Sequence, residues 1–151
     1  MAYTNAEGRQ QLLDELGGAA DAIGIAIAAL GEAYELLDEQ TADKLEELLF
    51  RPAQAASGRA KRTYGDFAER HGFPPRSFAP GTAPHASRPK DHIDNAVDAL
   101  RRAGDELGEL QDSMLPVEVG DAEVRAGISE TRALLGPLPH AAHELERRLG
   151  R

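Results

Sequence analysis

Leu16, Ala20, Ile23, Ile27, Leu30, Tyr34 and Leu37 recur at alternating steps of four and three residues without a break. That spacing draws one apolar seam along an α-helix, and the seam needs a neighbouring helix to cover it. The same rhythm returns three more times. It runs through Leu45, Leu48, Leu49, Ala53, Ala56, Ala60, Tyr64, Phe67 and His71, then Ile93, Val97, Leu100, Ala103, Leu107, Leu110 and Met114, and last Val124, Ile128, Thr131, Leu135, Leu138, Ala142, Leu145 and Leu149. None of the four amphipathic helices is stable alone. Together they predict an all-α chain, a single-domain antiparallel four-helix bundle over residues 1–151, built from two helical hairpins.

Helix-stopping residues set the boundaries. The first helix is predicted at about 5–39, and Thr41 is placed as the N-cap of a second at about 41–72. Pro52 removes an amide donor within that second helix and predicts a kink or restart. Gly72, followed by Pro74 and Pro75, ends it. Residues 73–88 are too rich in Pro, Ser and Gly to be regular helix and form a long loop, a kind of segment that tends to be functional or disordered. Phe73 and Phe78, half of the four Phe, lie in or beside it, and at least one is expected to tuck against the bundle end. The third helix is predicted at about 90–115. Pro116 and Gly120 mark a turn, and Asp121 caps a fourth helix at about 121–149. Pro137, between Gly136 and Pro139, predicts a kink or two consecutive helices there. The loop is long enough either to close an up-down-up-down order or to cross the full length of the bundle, so the topology stays open.

The first helix is apolar on more than one side. Gly18, Ala22, Ile25, Ala29 and Leu36 share a face roughly opposite Ile23 and Ile27. Gly17, Gly24 and Gly31 recur every seven residues, although Gly costs about 1 kcal/mol against Ala inside a helix. Something must approach closely. Either this helix is central to its own bundle, or its outer face meets a second copy; a homodimer is the expectation.

The net charge of −9 is unevenly spread. Residues 1–50 hold eleven acidic and two basic side chains, and residues 51–76 hold six basic and two acidic. The only basic stretch is Arg51, Arg59, Lys61, Arg62, Arg70 and Arg76, expected to lie beside the acidic first helix. A nucleic-acid binder would carry a basic face and a high pI, so no nucleic-acid partner is expected. Cys is absent, which excludes disulfide and thiolate chemistry. The first residues lack the pattern of a signal peptide. The most apolar segment, Ala19 to Leu30, contains Asp21 and is too short to span a bilayer. A cytoplasmic protein is expected, and the preference for Arg over Lys points to a GC-rich bacterial genome.

Side chains able to do chemistry are few. The histidines lack ligand partners at useful spacing: His140 and His143 with Glu144 point away from the seam, His92 and His71 suit helix-end electrostatics, and His85 stands in the loop. The Glu-x-x-His pairs of di-iron bundles, the zinc-protease motif, the phosphate loop and the dinucleotide fingerprint are all missing. Two acidic clusters remain, Glu32, Glu35 and Asp38 at the end of the first helix and Glu106, Glu109 and Asp112 at the end of the third. In an up-down-up-down order both fall at one end, where such carboxylates could hold Mg²⁺ against phosphates. The run from Asp105 to Asp112 resembles the acidic helix of all-α nucleotide pyrophosphohydrolases of the MazG type, over about eight residues. The resemblance implies a Mg-dependent phosphohydrolase, but the family's second acidic pair has no counterpart after Asp112. Tyr34-x-x-x-Asp38 resembles the secretion signal of small helical-hairpin substrates of the type VII system, whose Trp-x-Gly turn is absent here.

The leading expectation is therefore a non-enzymatic helical bundle that binds another protein or itself, without a cofactor. Its surfaces are the outer face of the first helix (Gly18, Ala22, Ile25, Ala29, Leu36) and the loop with Phe73 and Phe78. The phosphohydrolase is the alternative, and a small-molecule pocket lined by Ala and Gly is a third possibility.

Overall fold

The computed structural model describes residues 4–149. These contain helices and connections, and no strand is found among them. Five helices are long: α1 (Asn5–Leu36), α3 (Arg51–Arg70), α4 (Pro89–Asp112), α6 (Ala122–Leu135) and α7 (Leu138–Leu149). Two are short, α2 (Glu39–Leu45) and α5 (Leu115–Glu118), and a π-helical stretch, Glu46–Phe50, joins α2 to α3. The chain is all-α as expected, with more and shorter helices than the four stripes implied.

Local chemistry accounts for the extra breaks. Thr4 opens α1 with a capping box: its hydroxyl accepts from the Glu7 N–H while the Glu7 carboxylate accepts from the Thr4 N–H. The cap of the next helix is Asp38, not Thr41. The Asp38 carboxylate accepts from the Thr41 N–H at 2.9 Å and from the Thr41 hydroxyl at 3.0 Å, so α1 stops at Leu36. At Pro52 a kink or restart was expected; a new helix does start at Arg51, after a π-helical insertion. Pro52 has no N–H to give Leu48, and its ring would strike that carbonyl. The ladder widens by one residue, and the Arg51 N–H donates to the Glu46 carbonyl. Gly72, at φ +75°, follows the end of α3 in the left-handed conformation that favours Gly. After α4 the chain reverses at Met114 (φ 70°) into α5. Asp121 caps α6 as expected, its carboxylate accepting from the Val124 N–H at 2.7 Å. At Gly136 and Pro137 the expected break yields two consecutive helices.

α1 lies at the centre. Leu12, Leu13, Leu16, Ala19, Ala20, Ala22, Ile23, Ala26, Ala29, Leu30 and Ala33 are all buried and occupy more than half of the helix circumference, with Asp14, Asp21, Glu32 and Glu35 exposed on the rest. α4 covers one flank and α3 another. α5 and the following link close the start of α1, where Arg9 Nε donates to the Val119 carbonyl at 3.0 Å. α6 packs on α3 and α4, and α7 packs on α4 and the π-helical stretch. One apolar cluster joins all the long helices.

Side-chain neighbours fix the directions. The middle of α1 at Gly17 meets Tyr64, late in α3, and Gly18 meets Glu106, late in α4. α3 and α4 therefore both run opposite to α1. Residues 73–88 make the crossing between them as an extended strap along α1. Arg76 reaches Gly17 and Asp21, and Gly81 lies on Gly24. Sixteen extended residues reach about 50 Å, the length of a 32-residue helix at 1.5 Å per residue. The up-down-up-down alternative is thereby excluded.

α1 also carries an 18-residue window of mean hydropathy 1.4, enough by length and composition to cross a membrane. The expectation that no segment reaches that length is corrected, because the apolar stretch extends beyond Ala19 to Leu30. Of that window, 56% is buried inside the fold.

Candidate binding surfaces

α4 and the strap between them cover most of the outer face of α1. Ala22 and Ala29 are 3% and 0% exposed, and Ile25 is half-buried against the core. A methyl group on Gly18 would lie 3.3 Å from a Glu106 carboxylate oxygen of α4. Four of the five residues expected to meet a second copy are thus covered, wholly or in part, by the chain's own elements. Leu36 alone is half exposed, at 50%. The close approach implied by the recurring glycines is intramolecular as well. Gly17 faces the Arg76 guanidinium, and Gly24 faces the backbone of Gly81. Gly31 has nothing within 4 Å.

Phe78 anchors the strap against the flank of α3, rather than at the bundle end. Its ring meets Tyr64 edge-on at 5.5 Å, with the Arg76 guanidinium 4.4 Å and the Lys61 ammonium 5.9 Å from its centroid. Arg76 also reaches across to Asp21 on α1, Nη2 to Oδ2 at 2.7 Å. Phe73 is half-buried at the strap's start. Between α1, α3 and the strap remains a groove of about 430 Å³. Ala20, Gly24, Ile27 and Ala28 form its floor, Gln54, Ser57, Gly58 and Lys61 one wall, and Phe78 to Gly81 the other. The pocket considered from the sequence lay inside the bundle between Ala and Gly positions; this groove lies under the strap, and Asp21, Gln54, Ser57 and Lys61 also line it. Only the glycines hinted at the place.

The acidic clusters do not meet. Glu106 and Glu109 face Glu15 and Asp21 in the first half of α1, while Glu32, Glu35 and Asp38 stand exposed at its far end. The cause is the antiparallel course of α1 and α4. Asp38 is occupied as a cap, and hydrogen bonds from the Thr41 backbone N–H and hydroxyl hold its carboxyl below the usual range. Burial, then Glu109 and Glu106, push the Glu15 carboxyl up. Burial also raises Glu106, against the pull of Arg102. Among the described residues no group of three or more His, Asp or Glu is arranged to hold a metal ion.

α3, which carries most of the basic stretch, packs beside α1 as expected, but most of its ion pairs go elsewhere. Arg59 pairs with Glu130 of α6, and Arg70 pairs with Asp121 at 2.9 Å and Glu123 at 2.7 Å. Among the described residues of this stretch, Arg76 is the one that pairs with a carboxylate of α1. Lys61 has no carboxylate partner among the described residues. His71 joins the Arg70–Asp121 pair, its Nε2 2.9 Å from Asp121. His140 is exposed beside Glu144 at 4.0 Å.

At the far end of α1 the surface is both apolar and acidic. Tyr34, Leu36 and Leu48 are 38%, 50% and 37% exposed, on elements that pack together. Glu32, Glu35, Asp38, Glu39, Asp43 and Glu47 are exposed around them, against one half-buried cation, Lys44. At the opposite end Met114 and Val117 are exposed.

Comparison with known proteins returns no matching family model, no matching curated protein and no matching solved structure.

Proposed function

We propose that the protein is a non-enzymatic four-helix bundle, with α6 and α7 sharing one place, that works by protein–protein interaction through the acidic end of α1. The observation that carries this reading is the exposure of Tyr34, Leu36 and Leu48 at the end of α1 and in the segment packed on it, where Glu32, Glu35, Asp38, Glu39, Asp43 and Glu47 are exposed as well. Exposed apolar patches with polar rims mark protein contacts. The charge selects a partner with basic residues around an apolar centre, because rim charges steer association and reject like-charged surfaces. A second copy, the partner expected from the sequence, fits less well: two acidic ends repel, and the face first assigned to the dimer is largely covered. The phosphohydrolase reading loses its support, since its two carboxylate clusters lie at opposite ends. In this reading α1 is a core helix rather than an anchor, and the protein acts in the bacterial cytoplasm.

Replacing Leu48 by a photo-crosslinking phenylalanine analogue in the producing cells tests the proposal, with exposed Ala133 on α6 as the control position. A discrete heavier adduct is expected from position 48 alone, and Glu35→Lys with Glu47→Lys should abolish it. An adduct of twice the chain mass would identify a second copy instead. No adduct, or equal adducts from both positions, overturns the reading.

A further inference from the structure

The groove between α1, α3 and the strap has the size and lining of a ligand site. Its volume of about 430 Å³ lies within the range of roughly 300–1,000 Å³ common to small-molecule pockets. The floor is lined by the small residues Ala20, Gly24 and Ala28, with Gly24 in contact with Gly81 of the strap and Ala28 half-buried, so an apolar group has room beside Ala28 and Ile27. Phe78 offers a ring on the strap side, fixed by Tyr64 and Arg76. The polar groups on the α3 wall include donors: the Lys61 ammonium, the Gln54 amide and the hydroxyl of Ser57, a residue only 5% exposed. Asp21, the one carboxylate lining the groove, is already neutralised by Arg76 at 2.7 Å. The charge left over is the cation of Lys61.

We propose that this groove binds a small amphipathic carboxylate, its apolar body lying beside Ala28 and Ile27 and against Phe78, and its carboxylate on Lys61. An ammonium ligand would face Lys61 without a free anion to receive it. A neutral ligand would leave the ammonium unpaired, and charge-assisted hydrogen bonds to carboxylates are the stronger kind. The site stands apart from the interaction surface at the end of α1, so either can fail without the other.

The test is a ¹H–¹⁵N NMR titration of the whole chain with 2-naphthoate. Saturable shifts are expected at the amides of Gly24, Gly58 and Gly81. Lys61→Met, at an exposed position, should weaken binding about tenfold, and so should replacing the probe by neutral 2-naphthamide. Ala28→Phe should fill that space and abolish binding, with the spectrum of the remaining chain retained. Absence of saturable shifts at millimolar probe, or shifts centred away from the groove, overturns the site. Equal binding of 2-naphthoate by Lys61→Met and the parent chain overturns the carboxylate assignment.

Discussion

A methyl group added to Gly81 would collide with the carbonyl group of Gly24, so the strap lies on α1 backbone against backbone. The relationship is not symmetric. A methyl group on Gly24 would sit 3.7 Å from the Gly81 nitrogen and 3.9 Å from its Cα, in ordinary contact. Gly81→Ala is therefore expected to lift the strap and cost about 1–3 kcal/mol, as overpacking does. Gly24→Ala is expected to be neutral or to stabilise by up to about 1 kcal/mol, because Ala suits a helix interior better. Urea unfolding of the two variants checks the asymmetry.

Gly127 of α6 sets the distance to α3. Its added Cβ would overlap the Thr63 side chain, lying 2.9 Å from Thr63 Cβ. Thr63 cannot easily turn away, because its hydroxyl donates to the Arg59 carbonyl at 2.7 Å and accepts from Arg59 Nη1 at 3.0 Å. Gly127→Ala is expected to destabilise by about 1–3 kcal/mol. Adding Thr63→Ala should recover part of the loss, a coupling that a double-mutant cycle in urea would read.

Asp121 joins three functions at one carboxylate: it caps α6, pairs with Arg70 and meets His71. Burial opposes its ionisation, but bonds from Arg70, the Val124 N–H and His71 outweigh it, holding the carboxyl far below its ordinary value of 3.8. A depressed acid stabilises the fold above its unfolded pKa and loses that contribution as the pH falls through the folded one. Asp121→Asn keeps a capping residue and should cost about 1 kcal/mol near neutral pH. Asp121→Ala loses both roles and should cost about 2–3 kcal/mol. The difference between Asp121→Asn and the parent chain should shrink as denaturation is repeated at increasingly acidic pH.

Glu146 of α7 faces Asp94 of α4, which also pairs with Lys90 at 3.0 Å. Burial, then the Asp94 carboxylate, push the Glu146 carboxyl from an ordinary 4.5 up to about 7. Between those values the folded chain holds a proton that the unfolded chain has released. Stability contributed by this group is complete below about pH 4.5 and is lost as the pH rises through about 7. Glu146→Gln should remove that slope. Above the window it should be the more stable protein by on the order of 1 kcal/mol, once solvent screening at this half-buried site is allowed for. Melting temperatures across neutral pH report it.

Elements set by local chemistry were legible in the sequence. The four stripes, the Gly72 stop, the Asp121 cap and the break at Gly136 and Pro137 all have causes within one helical turn. Asp38 and Thr41 both had the chemistry of a cap, and only the geometry shows Asp38 accepting from Thr41. Pro52 removes a hydrogen bond whether the helix kinks or widens, and the surroundings chose widening. The course of the strap was hidden because an extended segment has no periodicity to read. With it went the antiparallel order of α1 and α4, the separation of Glu32 from Glu106, and the cover over Ala22 and Ala29. Apolarity on the outer face of α1 was visible, but not what would cover it. The groove draws Asp21, Ser57, Lys61 and Phe78 from three separate segments, and no spacing rule links them.

The groove, and the cover over Gly17 and Gly24, depend on the strap lying where Phe78 places it. Nuclear Overhauser contacts between the Phe78 and Tyr64 rings, whose centroids are 5.5 Å apart, test that most directly. Strong cross-peaks between the two rings, with Phe78 shifts displaced from random-coil positions, are the expected result. A Phe78 ring with averaged shifts and no contact to Tyr64 would contradict it, and would leave Gly24 and its neighbours on α1 open to another occupant.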